Sequence, residues 1–209
     1  MINRLVEPSR GAVLIDGVDT RETDPVALRR QIGFVFQDIG LFPHMTVAEN
    51  AGITLKLAAK KQQEIAVRVD ELLALVRLPP DRFRNAFPGT LSGGQRQRVG
   101  VARALAASPR LMLMDEPFGA LDPLTRDELA ADYRRIHERL GLTTVLVTHD
   151  MTEAMLLGDR IALMRDGRLV QAGTPRELIS SPADDFVLAM MESPTRRARA
   201  LAELQAGTG

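Results

Sequence analysis

Several residue types that provide chemistry or membrane anchoring in other proteins are missing from this 209-residue sequence. It has no cysteine, which excludes disulfides, zinc thiolates and a thiol nucleophile and fits a reducing compartment. No apolar run is long enough to cross a bilayer, and residues 1–11 lack the apolar core of a signal peptide. The formal net charge is zero, which gives no reason to expect nucleic acid or an anionic membrane as the main partner. We therefore expect a cytoplasmic protein that reaches a membrane only through a partner.

The apolar pattern predicts an α/β fold with a mostly parallel sheet. Apolar strands are predicted at 32–36, 111–115 and 143–148, and a helix at about 124–140 joins the last two in a β-α-β unit. Continuous apolar strands are typical of parallel sheets that are covered on both faces. The stretch 38–109 has helical periodicity instead, and we interpret it as an inserted helical subdomain.

We predict that the chain forms a single domain with three regions. The α/β core comprises residues 1–37 and 110–180, the helical subdomain comprises 38–109, and a polar helical tail comprises 181–209. Two Asp-Gly pairs indicate hairpin turns within the core.

Short-range signals place the boundaries of several helices. Asp24 followed by Pro25 is typical of a helix start. Thr46 stands three residues before Glu49, which is the spacing of a capping box. Helical periodicity then continues, with a break at a lysine pair, until two prolines end it, and residues 81–90 are predicted to form a loop.

Two adjacent acids close the predicted strand 111–115. A parallel sheet binds ligands at the carboxyl ends of its strands, where Asp115 would hold Mg²⁺ directly or through water. Glu116 lies one residue further and could polarise a water molecule for attack on a phosphate. A pair of solvated acids at a strand end is the alternative interpretation, and the pair alone does not decide between them.

A glycine-rich stretch, Ser92-Gly93-Gly94-Gln95, opens a predicted helix. Glycines let the backbone approach a ligand closely, and the N-terminus of a helix favours an anion. Ser92 could therefore cap the helix and also contact a phosphate oxygen. Taken by itself, the stretch is more typical of an ordinary serine cap than of a ligand site.

Gln37 and His149 follow two further strands at the same predicted edge of the sheet. His149 could hydrogen-bond a terminal phosphate, and Gln37 could contact both a metal ion and water. Each is unremarkable alone, because a lone histidine or glutamine is usually structural. Their convergence with the two acids and the glycine-rich stretch predicts a site that handles phosphates.

In combination, these residues resemble the nucleotide-binding subunit of an ATP-binding cassette (ABC) transporter, and the resemblance covers nearly the whole chain. It implies a P-loop NTPase core with ATP and Mg²⁺ as cofactors. The matching motifs are the Q-loop VFQ ending in Gln37, the signature LSGGQ at 91–95, the Walker B segment LMLMDE at 111–116, the D-loop GALD at 119–122 and the switch residue His149.

The resemblance also implies roles in ATP hydrolysis. Asp115 would bind Mg²⁺, and Gln37 would sense both the ion and the attacking water. Glu116 would be the general base, and His149 would contact the γ-phosphate.

Across a dimer of ATPase subunits, the resemblance assigns the signature motif to the partner's site. Ser92 and Gly94 would clamp the γ-phosphate of nucleotide held by the second subunit, and Gly93 and Gln95 complete this cofactor-binding set. Asp122 would couple the two sites.

Three segments look most like importers of glycine betaine, proline, choline and related osmoprotectants. These are MINRLVEP at 1–8, GFVFQDIGLFPHMTVAEN at 33–50 and MDEPFGALDPLTR at 114–126. An alternative is that they only mark an importer ATPase for another small solute. By the same resemblance, residues 38–45 would contact an integral-membrane permease on the inner face of the cell membrane, and a substrate-binding protein would take part indirectly.

One family motif is missing from the sequence. The phosphate loop, G-x-x-x-x-G-K-S/T, cradles phosphates with backbone N–H groups and a lysine. The only lysines here are Lys56, Lys60 and Lys61, and none follows a glycine. In relatives, a sequence similar to residues 1–8 lies in the helix after this loop. We therefore expect a chain that is shortened at its N-terminus and inactive alone, with strand 111–115 losing ladder partners and exposing apolar surface.

Two other functions compete with an importer ATPase. A non-catalytic subunit of the same fold could donate its signature motif and Asp122 to a complete partner. The missing lysine favours this function, whereas Glu116 and His149 weigh against it. A DNA-repair or chromosome ATPase shares the signature motif, but the sustained heptads of its coiled coil are absent here.

Overall fold

The computed structural model of the chain describes the backbone of residues 1–206 and their side chains except those of Thr195 and 197–206. The strands are β1 (Leu14–Ile15), β2 (Val18–Asp19), β3 (Ile32–Val35), β4 (Leu111–Asp115), β5 (Thr143–Val147), β6 (Ile161–Arg165) and β7 (Arg168–Gly173). The α-helices are α1 (Pro25–Gln31), α2 (Val47–Leu57), α3 (Gln62–Leu75), α4 (Pro80–Phe83), α5 (Gly93–Leu105), α6 (Pro123–Leu140), α7 (Met151–Leu157), α8 (Pro175–Ser180) and α9 (Asp185–Ala206).

The chain divides into two compact units, Met1–Val147 and Thr148–Gly209. The boundary falls inside the region predicted as the α/β core, and the division into core, subdomain and tail stays a prediction. Within the described residues, none of the helices combines the length and the apolarity needed to span a bilayer.

A three-stranded parallel sheet forms the centre of the first unit. β3 pairs with β4, and β4 pairs with β5, both in parallel register. The middle of β4 is buried on both faces, because Met112, Leu113 and Met114 are at most 7% exposed. The predicted α/β class with a parallel sheet is therefore confirmed.

The strand that exposes apolar surface is β5 and not β4. β4 has hydrogen-bonded neighbours on both sides, whereas β5 pairs only with β4 among the described residues. Val145 and Val147 of β5 are 41% and 55% exposed, so this strand is not covered on both faces. The prediction for strand 111–115 was wrong because an apolar run shows that a strand is buried but does not encode which strands lie beside it.

Helices α2 to α5 fill the chain between β3 and β4. The predicted break near Lys60 is confirmed, because it separates α2 from α3. The loop predicted over 81–90 is wrong in part, since it contains most of α4 and a 3₁₀ turn at Pro88–Thr90. Pro80 suits the first position of a helix, where its missing N–H has no intrahelical partner to lose, and the buried Phe83 anchors the turn.

The predicted helix starts are formed by side-chain caps. Asp24 accepts from the backbone N–H of Ala27 at 2.8 Å. Thr46 and Glu49 cap each other's backbone, with distances of 3.2 and 2.7 Å. The backbone N–H of Thr46 holds the pKa of Glu49 below its ordinary value.

The second unit packs a β-hairpin against three helices. β6 and β7 pair antiparallel around Asp166 and Gly167, whose φ angles of 50° and 73° suit a two-residue hairpin turn. Its core is formed by Met151, Ile161, Leu163, Leu178, Val187 and Met191. Residues 207–209 of the predicted tail lie outside the described residues.

A buried carboxylate joins α5 to α6 in the first unit. Asp132 is 5% exposed and accepts from Arg98 at 2.7 Å, from Arg77 at 3.1 Å and from Arg135. Burial raises the pKa of Asp132, but the hydrogen bonds from Arg98 and Arg135 and the nearby positive charges outweigh it and hold the pKa below its ordinary value. The carboxylate therefore stays charged in the folded protein.

We expect Asp132→Ala to lower the free energy of unfolding by about 3 kcal/mol, because it leaves buried positive charge uncompensated. Asp127→Ala, on the exposed face of the same helix, is the matched control and should change it by about 0.5 kcal/mol or less. Urea unfolding followed by circular dichroism measures both variants. Equal effects would contradict a stabilising role for this ion cluster.

The contribution of Asp132 should also depend on pH. Its folded pKa is lowered, so the stabilisation is fully present above the unfolded pKa of about 3.9 and is lost as pH falls through the folded pKa. The stability difference between the wild-type protein and Asp132→Asn should stay constant from about pH 7 to pH 5 and shrink below about pH 4. Urea unfolding over this range tests the sign, and a difference that grows with acid would contradict it.

Candidate functional site

The carboxyl ends of β3 and β4 bring two predicted site residues into contact. Gln37 follows β3, and Glu116 directly follows β4. The Nε2 amide of Gln37 donates to Oε2 of Glu116 at 3.1 Å, although the two residues are 79 positions apart. The backbone N–H of Glu116 donates to the carbonyl of Val147 at 2.9 Å, which ties the residue to the end of β5 as well.

The backbone of Glu116 is strained. Its φ of 42° lies in the left-handed region, which few residues other than glycine adopt. The N–H of Gly119 donates to the carbonyl of Glu116 at 3.2 Å and closes a turn there. Such strained residues cluster at functional sites, where the surrounding structure holds them in place.

The same edge carries oxygen groups of the kind that Mg²⁺ binds. Asp115 is the exposed last residue of β4, and Gln37 retains an amide oxygen while its nitrogen donates to Glu116. Among the described residues there is no cluster of three or more acidic or histidine side chains that could hold a metal ion alone. One or two carboxylates completed by phosphate oxygens are what Mg²⁺ commonly uses, so the residues fit Mg²⁺ bound together with nucleotide.

The glycine-rich stretch begins α5 with a complete capping box. The N–H of Gln95 donates to Oγ of Ser92 at 3.3 Å, and the N–H of Ser92 donates to Oε1 of Gln95 at 2.9 Å. Ser92 is exposed, and its hydroxyl still has a hydrogen to donate while it accepts from Gln95. The cap therefore accounts for Ser92 and Gln95 structurally without blocking a phosphate contact.

The two glycines of this stretch differ in what surrounds them. A Cβ added at Gly94 would lie 2.6 Å from the methyl group of Thr125 in α6, whereas one at Gly93 would meet only Leu121 at 3.4 Å. Close packing of α5 on α6 thus requires glycine at position 94 but not at position 93.

Asp122 caps helix α6. Its Oδ1 accepts from the N–H of Thr125 at 3.0 Å, and this backbone hydrogen bond lowers the pKa of Asp122. The guanidinium of Arg126 donates to the carbonyl of Leu121 at 3.2 Å. Sequence reasoning missed this cap, although Asp122-Pro123 has the same signal as Asp24-Pro25.

His149 belongs to the second unit, where the turn around it is well defined. Asp150 caps α7 by accepting from the N–H of Thr152 at 2.8 Å. Thr148 donates its hydroxyl to the buried carboxylate of Glu153, and the N–H of Asp150 donates back to Thr148 at 3.0 Å. The grouping of His149 with the residues of the first unit stays a prediction.

The segment 38–45 is held by an asparagine that sequence reasoning missed. Asn50 is fully buried, accepts from the N–H of Phe42 at 2.8 Å, and donates to the carbonyls of Phe42 and Met45 at 3.1 Å each. The available signal was the position of Asn50, three residues after Val47 and therefore on the same face of the predicted helix. A polar side chain on a buried face needs hydrogen-bond partners.

Comparisons with known proteins agree with the resemblance to ABC transporter ATPases. The family model described as ABC transporter matches residues 1–119. The chain is 52% identical over 187 residues to the choline transport ATP-binding protein OpuBA of Bacillus subtilis (strain 168), a match that covers 90% of this chain and 49% of that protein. It is 48% identical over 186 residues to the sulfate/thiosulfate import ATP-binding protein CysA of Nocardia farcinica (strain IFM 10152), which covers 89% and 55%.

A solved structure shares the fold as well. The dimeric post-hydrolysis state of the ATP-binding cassette MJ0796 bound to ADP and Pi is 38% identical, with a TM-score of 0.72, and the match covers 83% of this chain and 77% of that one. The chain spans about half the length of the curated relatives it matches.

The packing of the two glycines predicts different costs for the same substitution. We expect Gly94→Ala to lower the free energy of unfolding by about 1–3 kcal/mol, because the new methyl group overpacks the contact with Thr125. Gly93→Ala is the matched control and should be neutral or stabilising by up to about 1 kcal/mol. Thermal unfolding distinguishes them, and similar values for both variants would contradict the packing argument.

Proposed function

The chain belongs to the ABC transporter family, and on this premise we propose that it acts in the ATP-binding subunit of an importer that uses ATP hydrolysis to take up an osmolyte such as glycine betaine or choline. The observation that carries this proposal is the hydrogen bond between Gln37 and Glu116 beside Asp115. It joins the carboxyl ends of two parallel strands, where such sheets bind ligands.

In the proposed reaction, Glu116 takes the proton from the attacking water. Its contact with Gln37 holds the carboxylate in one orientation, and Gln37 also positions the water. Asp115 and the amide oxygen of Gln37 would hold Mg²⁺, which, when bound with nucleotide, neutralises charge on the phosphates. His149 would hydrogen-bond the terminal phosphate.

We assign the signature motif to nucleotide on a second ATPase subunit. Ser92 is exposed at the start of a 13-residue helix, where N–H groups and the helix dipole favour an anion. With Gly93, Gly94 and Gln95 it would face the partner's nucleotide, and Asp122 would couple the two sites. The similarity to the MJ0796 cassette, which was solved as a dimer bound to ADP and Pi, supports this assignment.

The permease would bind at residues 38–45, which would place the chain on the inner face of the membrane. The buried Asn50 keeps this segment in a fixed shape, and a preformed surface lowers the entropic cost of binding. A substrate-binding protein would deliver the solute on the other side.

A non-catalytic subunit is a second candidate. The capping geometry of Ser92 and Gln95 is formed. In contrast, these 209 residues include no phosphate loop. The phosphates of a nucleotide beside Gln37 and Glu116 would therefore have to be held by residues other than a phosphate loop within these 209. Hydrolysis by the purified full-length protein alone would favour the first candidate. Hydrolysis only after mixing with a complete ATPase subunit would favour the second.

We expect Glu116→Gln in the full-length protein to lower kcat for ATP hydrolysis about 100-fold or more, because the amide cannot accept a proton. Glu71→Gln is the matched control, since Glu71 is an exposed carboxylate that pairs with Arg68, and it should leave the rate unchanged. Phosphate release measures both. A Glu116→Gln rate near that of the control would mean that another group is the base.

The transported solute can be tested by uptake. Cells that lack the gene should lose accumulation of labelled choline and glycine betaine after osmotic upshift, and keep that of labelled sulfate. The similarity to OpuBA favours the quaternary ammonium compounds, whereas the similarity to CysA makes sulfate the natural comparison. Loss of sulfate uptake alone would assign the chain to an importer for another solute.

A further inference from the structure

Helix α5 contains a buried arginine that has no carboxylate partner among the residues that the structure describes. Arg103 is 8% exposed, and burial lowers its pKa. Its guanidinium donates to the carbonyl of Gly40 at 2.6 Å and to that of Ile39 at 2.5 Å, and it forms no ion pair within the described part of the chain. Burying a charge costs free energy. If the side chain at position 103 only filled space, methionine would fill it at a lower cost than arginine.

The two carbonyls belong to a strained turn. Ile39 and Gly40 both have a φ of 57°, a left-handed conformation that is rare for a β-branched residue. The side chain of Ile39 fits against α5 because Gly100 has no Cβ; one added there would lie 2.9 Å from the Ile39 methyl group. Two independent contacts to α5 therefore hold this turn.

The turn lies between two parts of the candidate site. Ile39 is two residues beyond Gln37, whose amide contacts Glu116. Arg103 lies in α5, about 16 Å along the helix from its cap residue Ser92 at 1.5 Å per residue. A shift of the turn would therefore be transmitted along α5 to its N-terminus.

We propose that Arg103 is a positioning residue that clamps the turn at 39–40 to helix α5, which places Gln37 against Glu116 and couples the Gln37 loop to the helix that begins after Ser92. The catalytic consequence rests on the proposed function, whereas the clamp itself does not. Arg103 donates to the two carbonyls of the turn and would act on hydrolysis only through Gln37.

Hydrogen–deuterium exchange of the full-length protein tests the clamp directly. We expect Arg103→Met to accelerate exchange in peptides covering residues 37–42 about 10-fold, because two carbonyls lose their donor, and to leave the β4 peptides unchanged. Arg96→Met is the matched control: Arg96 is on the same helix but donates to Leu91, so exchange at 37–42 should not change. Wild-type exchange at 37–42 in Arg103→Met would overturn the proposal.

Two further variants test the clamp if Arg103→Met does not fold. Arg103→Lys keeps the charge but lacks the planar fork that reaches both carbonyls, and Gly100→Ala keeps Arg103 but displaces Ile39. Both should accelerate exchange selectively at 37–42. Acceleration spread evenly over residues 1–147, or none at all, would show that Arg103 has no specific role in this turn.

ATP hydrolysis by the full-length protein tests the consequence. Arg103→Met should lower kcat about 10- to 100-fold and leave KM for ATP within about twofold. Because Arg103 acts through Gln37, the double variant Arg103→Met/Gln37→Ala should have the same kcat as Gln37→Ala alone. If the two losses in kcat multiply instead, the proposed coupling is overturned. If the wild-type protein does not hydrolyse ATP, the proposed function fails, and the exchange measurements still decide the clamp.

Discussion

The parallel pairing of β3, β4 and β5 is the constraint on which the candidate site depends. Parallel strands end at the same edge of a sheet, so Gln37 and Glu116 meet there despite their separation in sequence. The ladder also continues past β4 through the N–H of Glu116. This continuation holds Glu116 in a left-handed conformation that its own backbone preference disfavours.

Helix α5 is the second organising element, because both of its ends contact segments that carry candidate site residues. At its start, Ser92 forms a cap and Gly94 allows close packing on α6. Near its end, Arg103 and Gly100 hold the turn after Gln37. Asp132 then ties the same helix to α6 through Arg98. A rigid helix with these contacts joins the predicted hydrolysis residues to the residues predicted to act across a dimer.

Much of the fold was predictable because its signals are local. Asp24, Thr46 and Ser92 cap helices at the predicted places, since capping depends on residues within three positions of one another. The loop at 81–90 was predicted wrongly because Phe83 becomes helical through its burial, which is a tertiary effect. The neighbours of β4 were also predicted wrongly, because lateral order in a sheet leaves no periodic trace in any one strand.

The sequence by itself determined the class of fold, the motifs and therefore the family, because apolar periodicity and motif spacing are written in consecutive residues. Only the tertiary structure decided that Gln37 contacts Glu116, that Gly94 rather than Gly93 must lack a side chain, and that Arg103 holds the turn at Ile39. These are contacts between distant segments. Their existence depends on how helices and strands pack, and packing is a property of shape and volume that no short stretch of sequence contains.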